Sequence, residues 1–125
     1  MSQVLSEALR LQREAAELGF DWRHLDELWD KLAEESAELR EAAAQSREAA
    51  QDELGDLLFM AVNLARHLGV DAEAALAGAN DKFRRRFAHV CAAPDALPPL
   101  GDPARLAAME ARWIEAKRAE RGATP

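Results

Sequence analysis

Lys31-Leu-Ala-Glu34-Glu35-Ser-Ala-Glu38-Leu-Arg40, an alanine-rich middle, and then Asp52-Glu53-Leu-Gly-Asp56-Leu-Leu-Phe59 form the stretch on which the fold turns. Glu35 and Glu38 stand three apart, as do Glu53 and Asp56. On a helix that spacing puts each pair on one face, a turn apart. Leu28, Leu32, Glu35 and Leu39 make one stripe, and Glu53, Leu57, Met60 and Leu64 make another. Each stripe of large apolar residues is thus interrupted by an acid. Clustered carboxylates between packed helices are costly and raise one another's pKa. A divalent cation removes both penalties. Oxygen-only ligands, with no cysteine or histidine in the pattern, point to magnesium, or manganese, rather than zinc. A solvated acidic face is the competing reading. Most of the 23 acids must belong to such faces, with Glu7, Glu14, Glu17, Glu115 and Glu120 among those expected there. On spacing alone the two readings stand level.

Outward from that stretch, 125 residues suit one domain with a real core but not two. Alanine and leucine dominate, tyrosine is absent, and no run has the β-branched alternation of a strand. The expected class is all-α, a bundle of four to five helices. The net charge of −7 disfavours nucleic-acid backbones and leaves no polybasic membrane patch. Cys91 is the single cysteine, which suits a reducing compartment. No apolar signal core opens the chain, and Leu57 to Val62 is too short to cross a bilayer. The expectation is a cytoplasmic protein.

Val4, Ala8, Leu11, Ala15 and Leu18 predict a first amphipathic helix, stopped at Gly19. Asp21 is expected to cap a second helix, with Leu25, Leu28, Leu32 and Leu39 inward. No glycine or proline breaks the pattern between Ala42 and Asp52, so periodicity permits one long helix. A shared metal site does not. At ~1.5 Å rise per residue, Glu38 and Glu53 would lie ~22 Å apart on a straight rod. A fold-back is therefore expected near Gln45–Arg47, with Ser46 as the cap of the return helix. That helix, apolar nearly all round from Leu57 to Val62, should be the most buried, with Gly55 open to close approach.

Gly69 is expected to end it and Asp71 to cap the next, which carries Leu76, Asn80, Phe83 and Phe87 as a stripe. Lys82, Arg85 and Arg86 cluster on an adjoining face. Residues 92–101, with three prolines, form a connector. Asp102-Pro103 starts a last helix that should turn Leu106, Met109 and Trp113 inward and fray towards Pro125. Asn63 and Asn80 sit on helices expected to be largely buried. No Glu-x-x-His occurs, which argues against a ferritin-like di-iron site, and no glycine-rich phosphate loop is present.

Glu-Glu-x-x-Glu at 34–38 with Glu-x-x-Asp at 53–56 resembles the metal motif of the MazG-type nucleoside triphosphate pyrophosphohydrolases, in the all-α NTP pyrophosphatase superfamily. Gly-Phe-Asp-Trp (19–22), Asp-Glu-Leu-Gly-Asp-Leu-Leu-Phe (52–59), Asn-Leu-Ala-Arg-His-Leu-Gly-Val (63–70) and Ala-Asn-Asp-Lys-Phe-Arg-Arg-Arg-Phe (79–87) resemble the second, catalytic repeat of two-repeat members. The likeness is strong over residues 19–90 and looser beyond. It implies Mg²⁺-dependent cleavage of (d)NTPs between the α- and β-phosphates to monophosphate and pyrophosphate, with a house-cleaning role in the nucleotide pool.

Glu35, Glu38, Glu53 and Asp56 are then the expected metal ligands. Glu34 is the expected base, with Glu38 as its rival. The family's Lys-Phe-x-x-Arg segment falls on Lys82 and Arg86 as phosphate contacts, and Arg85 lies beside them. Lys31 carries over as a nucleotide contact. The resemblance puts Trp113 near the nucleotide, whereas its helix periodicity reads as core. A small chain rich in amphipathic helices implies a homodimer or higher homo-oligomer. Two features depart from the family: one repeat stands where two are usual, and position 36 is Ser where relatives often carry a bulkier or acidic residue. A narrow dUTP or dCTP pyrophosphatase and a non-catalytic nucleotide-binding helical dimer are the alternatives. No base-reading motif chooses among substrates.

Overall fold

In the computed structural model, which describes residues 2–122, the chain turns back on itself at Ser46. The helices are α1 (Ser2–Glu17), α2 (Leu25–Gln45), α3 (Arg47–His67), α4 (Ala72–Val90) and α5 (Pro103–Gly122), with a 3-10 turn at Pro94–Ala96. No strand occurs among the described residues, as the all-α reading expects. The fraying expected towards Pro125 falls on residues outside those described. The chain divides into two compact units, one up to Leu76 and one from Ala77 onward, with the boundary inside α4.

In the first unit, Ser46 is extended and is the single residue between α2 and α3. Its Oγ accepts the Ala49 N–H at 3.0 Å, and its own N–H donates to the Ala42 carbonyl at 3.2 Å. One side chain thus starts α3 while its backbone closes α2, a cap worth about 1 kcal/mol. The two helices run antiparallel and pack through Leu28, Met60 and Leu64, with Trp22, Leu25 and Leu32 against them. Leu28 is fully buried.

The amphipathic helix forms and ends before Gly19 as expected, with Ala8 and Ala15 of its apolar set half-buried, but Val4, Leu11 and Leu18 are 78%, 45% and 89% exposed. The covered face of α1 centres on buried Gln12, flanked at three, four and seven residues by half-buried Leu5, Ala8, Leu9, Ala15 and Ala16. Gln12 Nε2 donates to the Phe59 carbonyl of α3 at 3.0 Å, and its Oε1 accepts from Arg66 Nε at 3.4 Å. A buried carboxamide satisfied on both atoms sets the rotation of α1. Gly19, at φ 91°, then closes α1 with Phe20 N–H bonded back to the Ala15 carbonyl.

Asp21 is likewise not the cap of α2. The cap position is His24, and the Glu27 carboxylate accepts the N–H groups of Arg23 and His24 at 3.0 Å each. Asp21 instead ties α3 to the preceding turn. Arg66 Nη1 and Nη2 each reach one of its oxygens at 2.8 Å, His67 Nε2 lies at 3.0 Å, and the Trp22 N–H donates at 2.8 Å. The Arg66 hydrogen bonds hold the Asp21 carboxyl well below the usual carboxylate range. A lowered folded-state pKa gives stability that is present above the ordinary range and lost as pH falls towards the folded value. Asp21→Asn should therefore melt lower than wild type at neutral pH, with the gap closing below about pH 4. Circular-dichroism melts across that range check it; a gap that persists unchanged in acid would place the effect elsewhere.

Along α3, Met60, Val62, Asn63 and Leu64 are buried, in line with a central helix. Leu54, Leu58 and Phe59 are not, at 45%, 61% and 41% exposure. A Cβ added at Gly55 would meet nothing within 4 Å, so no group of the described residues makes the close approach expected there. Gly69 ends the helix at φ 70°, and Asp71 Oδ1 accepts the N–H groups of Glu73 and Ala74 to start α4, both as expected.

In the second unit, Asp102 Oδ1 accepts the Ala104 N–H at 2.9 Å ahead of Pro103, the expected start of α5. Leu106 does not turn inward; it is 63% exposed. The covered stripe of α5 is Arg105, Met109, Arg112, Ala116 and Glu120. Arginines can occupy it because they bond to carbonyls: Arg105 to Pro98, and Arg112 to Val90, Ala92 and Ala93, where α4 ends. Val90, Leu97 and Ala116 are the buried apolar residues here. Phe83 and Phe87 are exposed despite their spacing, and Asn80 is exposed rather than buried.

Candidate active site

The hairpin brings the acids together. Near the turn the covered residues are small, with Ala42 of α2 buried and Ala49 and Ala50 of α3 half-buried; further along the helices pack through Leu28, Leu32, Met60 and Leu64. The acids lie between these two layers. One carboxylate oxygen each from Glu35, Glu38 and Glu53 lie within 4.8 Å of one another, and the same holds for Asp52, Glu53 and Asp56. Glu53 belongs to both groups, so the four expected ligands form one patch. Asp52 joins them, a residue the sequence reading passed over although it stands four before Asp56 on the same helix face.

Two oxygens in this patch are unpaired. Glu35 Oε2 and Glu53 Oε2 are buried and have no hydrogen-bond partner among the described residues. Glu35 as a whole is only 7% exposed. Its other oxygen lies 3.4 Å from Lys31 Nζ, which also stands 3.7 Å from Glu34. Glu34 raises the Lys31 pKa most, with Glu35 and Glu38 adding to it. One ammonium cannot balance five carboxylates. Burial, then the charges of Glu38, Asp56, Glu35 and Asp52, push the Glu53 carboxyl up. An orphaned oxygen on each helix, in an all-oxygen donor set with excess negative charge, fits a hard divalent cation.

The remaining expected contacts lie in the second unit. Arg86 is half-buried, and its guanidinium carbon lies 5.6 Å from the centre of the Trp113 ring. Trp113, also half-buried, packs on Phe83 at 5.5 Å between ring centres, and Phe83 stacks on Phe87 at 5.3 Å. Lys82 and Arg85 are exposed, whereas Arg84 turns aside to Asp81. Glu120, expected to be solvated, is instead drawn to this cluster through Arg86 at 2.8 Å and Arg85 at 3.7 Å. Its distance in sequence, 34 residues from Arg86, hides that pairing from any local pattern.

Residues 23–91 match the family described as the MazG nucleotide pyrophosphohydrolase domain. The chain belongs to this family. It is 43% identical over 122 residues to the nucleoside triphosphate pyrophosphohydrolase of Escherichia coli strain K12, covering 94% of this chain and 46% of that protein. It is 46% identical over 84 residues to the nucleoside triphosphate pyrophosphohydrolase/pyrophosphatase MazG of Thermotoga maritima, covering 67% of this chain and 32% of that one. An uncharacterized Bacillus subtilis protein, YabN, is 44% identical over 70 residues, covering 55% of this chain and 14% of that protein. The chain therefore spans less than half the length of these curated relatives. The MazG match encloses every acid of the patch, Lys31 and the Lys82–Arg86 cluster, while Trp113 and Glu120 lie beyond it. Among the described residues, no helix is long and apolar enough to cross a membrane.

Proposed function

We propose that this chain is a Mg²⁺-dependent hydrolase that cuts nucleoside triphosphates between the α- and β-phosphates, releasing monophosphate and pyrophosphate in the cytoplasm. The observation that carries this is the pair of buried, unpartnered oxygens of Glu35 and Glu53 inside the acid patch of a MazG-family hairpin. The names of the Escherichia coli and Thermotoga maritima relatives supply the reaction class. Glu35, Glu38, Glu53 and Asp56 would hold the ion or ions, with Asp52 close enough to join them. Bound there, magnesium (manganese being the alternative) supplies polarised phosphate oxygens and a water of lowered pKa.

The chain's own groups do the rest. Glu34, whose side chain is 60% exposed, takes the proton of the attacking water; Glu38, half-buried in the patch, is the alternative base. Lys31 exchanges its carboxylate partners for a phosphate oxygen. Lys82, Arg85 and Arg86 bind phosphate, where charge builds up as pyrophosphate leaves. Trp113 offers the nucleotide the part of its ring that Phe83 and Arg86 leave open. A second copy of the chain covers the outward leucines of α3, Leu54 and Leu58, one turn apart.

Pyrophosphate release from a panel of canonical and modified (d)NTPs, with Mg²⁺ and with EDTA, tests the reading. Release from the panel only with the metal supports it. Release confined to dUTP or dCTP would assign the narrower activity, and nucleotide binding without release a non-catalytic dimer. Light scattering on the same sample tests the assembly, and a mass of one chain would remove the second copy.

A further inference from the structure

Arg86 is already engaged in the free protein. Its Nε donates to Glu120 Oε1 at 2.9 Å and its Nη2 lies 2.8 Å from the same oxygen, while the Trp113 ring lies against the guanidinium face. Only 16% of the Arg86 side chain is exposed. The second Glu120 oxygen lies 3.7 Å from Arg85 Nη2. Two helices fix the arrangement. Trp113 and Glu120 stand seven apart on α5, and Phe83 and Arg86 three apart on α4. Arginine takes a phosphate through the same adjacent N–H donors that here hold a carboxylate. The Arg86 hydrogen bonds, then the charges of Arg86, Arg85 and Lys82, hold the Glu120 carboxyl below its usual range. It therefore stays anionic wherever a nucleotide would arrive.

We propose that Glu120 is a built-in competitor for phosphate: it holds the Nε–Nη2 edge of Arg86 in the free protein and yields it when a nucleotide phosphate binds. This rests on the reading of Lys82, Arg85 and Arg86 as phosphate contacts. Glu120 then sets the affinity of the cluster and favours polyphosphates over a single phosphate. A group that carries several charges gains enough from three cations to displace the carboxylate. A single phosphate gains less and is held less well.

The alternative is that Glu120 merely props Arg86 in place, and Glu120→Gln separates the two. Glutamine keeps an oxygen for the Arg86 N–H groups and removes only the charge. Binding of inorganic tripolyphosphate to the full chain in EDTA is read by calorimetry, so turnover does not enter. Glu120→Gln should bind about ten-fold more tightly than wild type, the weight of one charge-assisted hydrogen bond. Glu120→Ala should show a gain of the same sign, and adding Arg86→Ala should cancel it. A gain in affinity cannot come from a variant that has failed to fold. If Glu120→Gln and Glu120→Ala bind no more tightly while Arg86→Ala alone weakens binding, Glu120 is a prop and the competitor is overturned. If Arg86→Ala leaves tripolyphosphate binding unchanged in both backgrounds, the phosphate-contact reading itself fails, and the competitor with it.

Discussion

Glu38→Gln and Asp56→Asn are each expected to lower Mg²⁺-dependent pyrophosphate release by about 100-fold or more, since a lost ligand forfeits several kcal/mol of charge stabilisation in the transition state. The metal-free proteins should melt at or above the wild-type temperature. The reason is visible in Glu53, whose carboxyl is pushed up first by burial and then by Glu38 and Asp56. Removing either neighbouring charge relieves that repulsion, whereas in a purely structural network each substitution would break a favourable contact. Both amides keep size and shape, so little packing is disturbed. Release assays in Mg²⁺ and thermal melts in EDTA together check the prediction. Turnover like wild type in both variants would sink the ligand assignment. Melts that drop sharply in EDTA would mean that these acids hold the fold rather than a metal.

That prediction rests on the part of the molecule most legible in its sequence. The fold-back at Ser46 follows from a single requirement, that acids fifteen residues apart share one ion, and the structure turns at that residue. Gly69, Asp71 and Asp102-Pro103 were readable for a similar reason, because caps and stops are local chemistry. What escaped the sequence is what non-local hydrogen bonds decide. The rotation of α1 is set by Gln12 reaching the Phe59 carbonyl 47 residues away, and a polar residue at the centre of a buried face is invisible to hydrophobic periodicity. The same holds for α5. There Arg105 and Arg112 fill the covered stripe by bonding to carbonyls, and Leu106, one position off it, is left exposed. Asp21 reads as a local cap and is instead the partner of Arg66, 45 residues on. Asp52 is a different case: it stands four before Asp56 on the same helix face but outside the two three-residue pairs that mark the motif.

Arg86→Ala is expected to lower kcat/KM by about 100-fold, within the range for loss of a charged group that meets developing phosphate charge, whereas Arg84→Ala should stay within about two-fold of wild type. The two arginines differ in environment rather than in charge. Arg84 is turned to Asp81 at 2.6 Å, and its side chain is 72% exposed. Such a surface pair contributes little, and screening by salt reduces it further. Arg86 is packed against Trp113, so its guanidinium has a defined position from which to meet a phosphate once Glu120 yields it. Because Arg86 is also part of the packing of the second unit, Arg86→Lys is the needed companion. It retains the charge and most of the stem but loses the fork that grips two oxygens at once. Partial recovery of kcat/KM in Arg86→Lys, with a melt close to wild type, would separate phosphate contact from scaffold. Equal losses in Arg84→Ala and Arg86→Ala would reduce the whole cluster to nonspecific positive charge and remove Arg86 from the site.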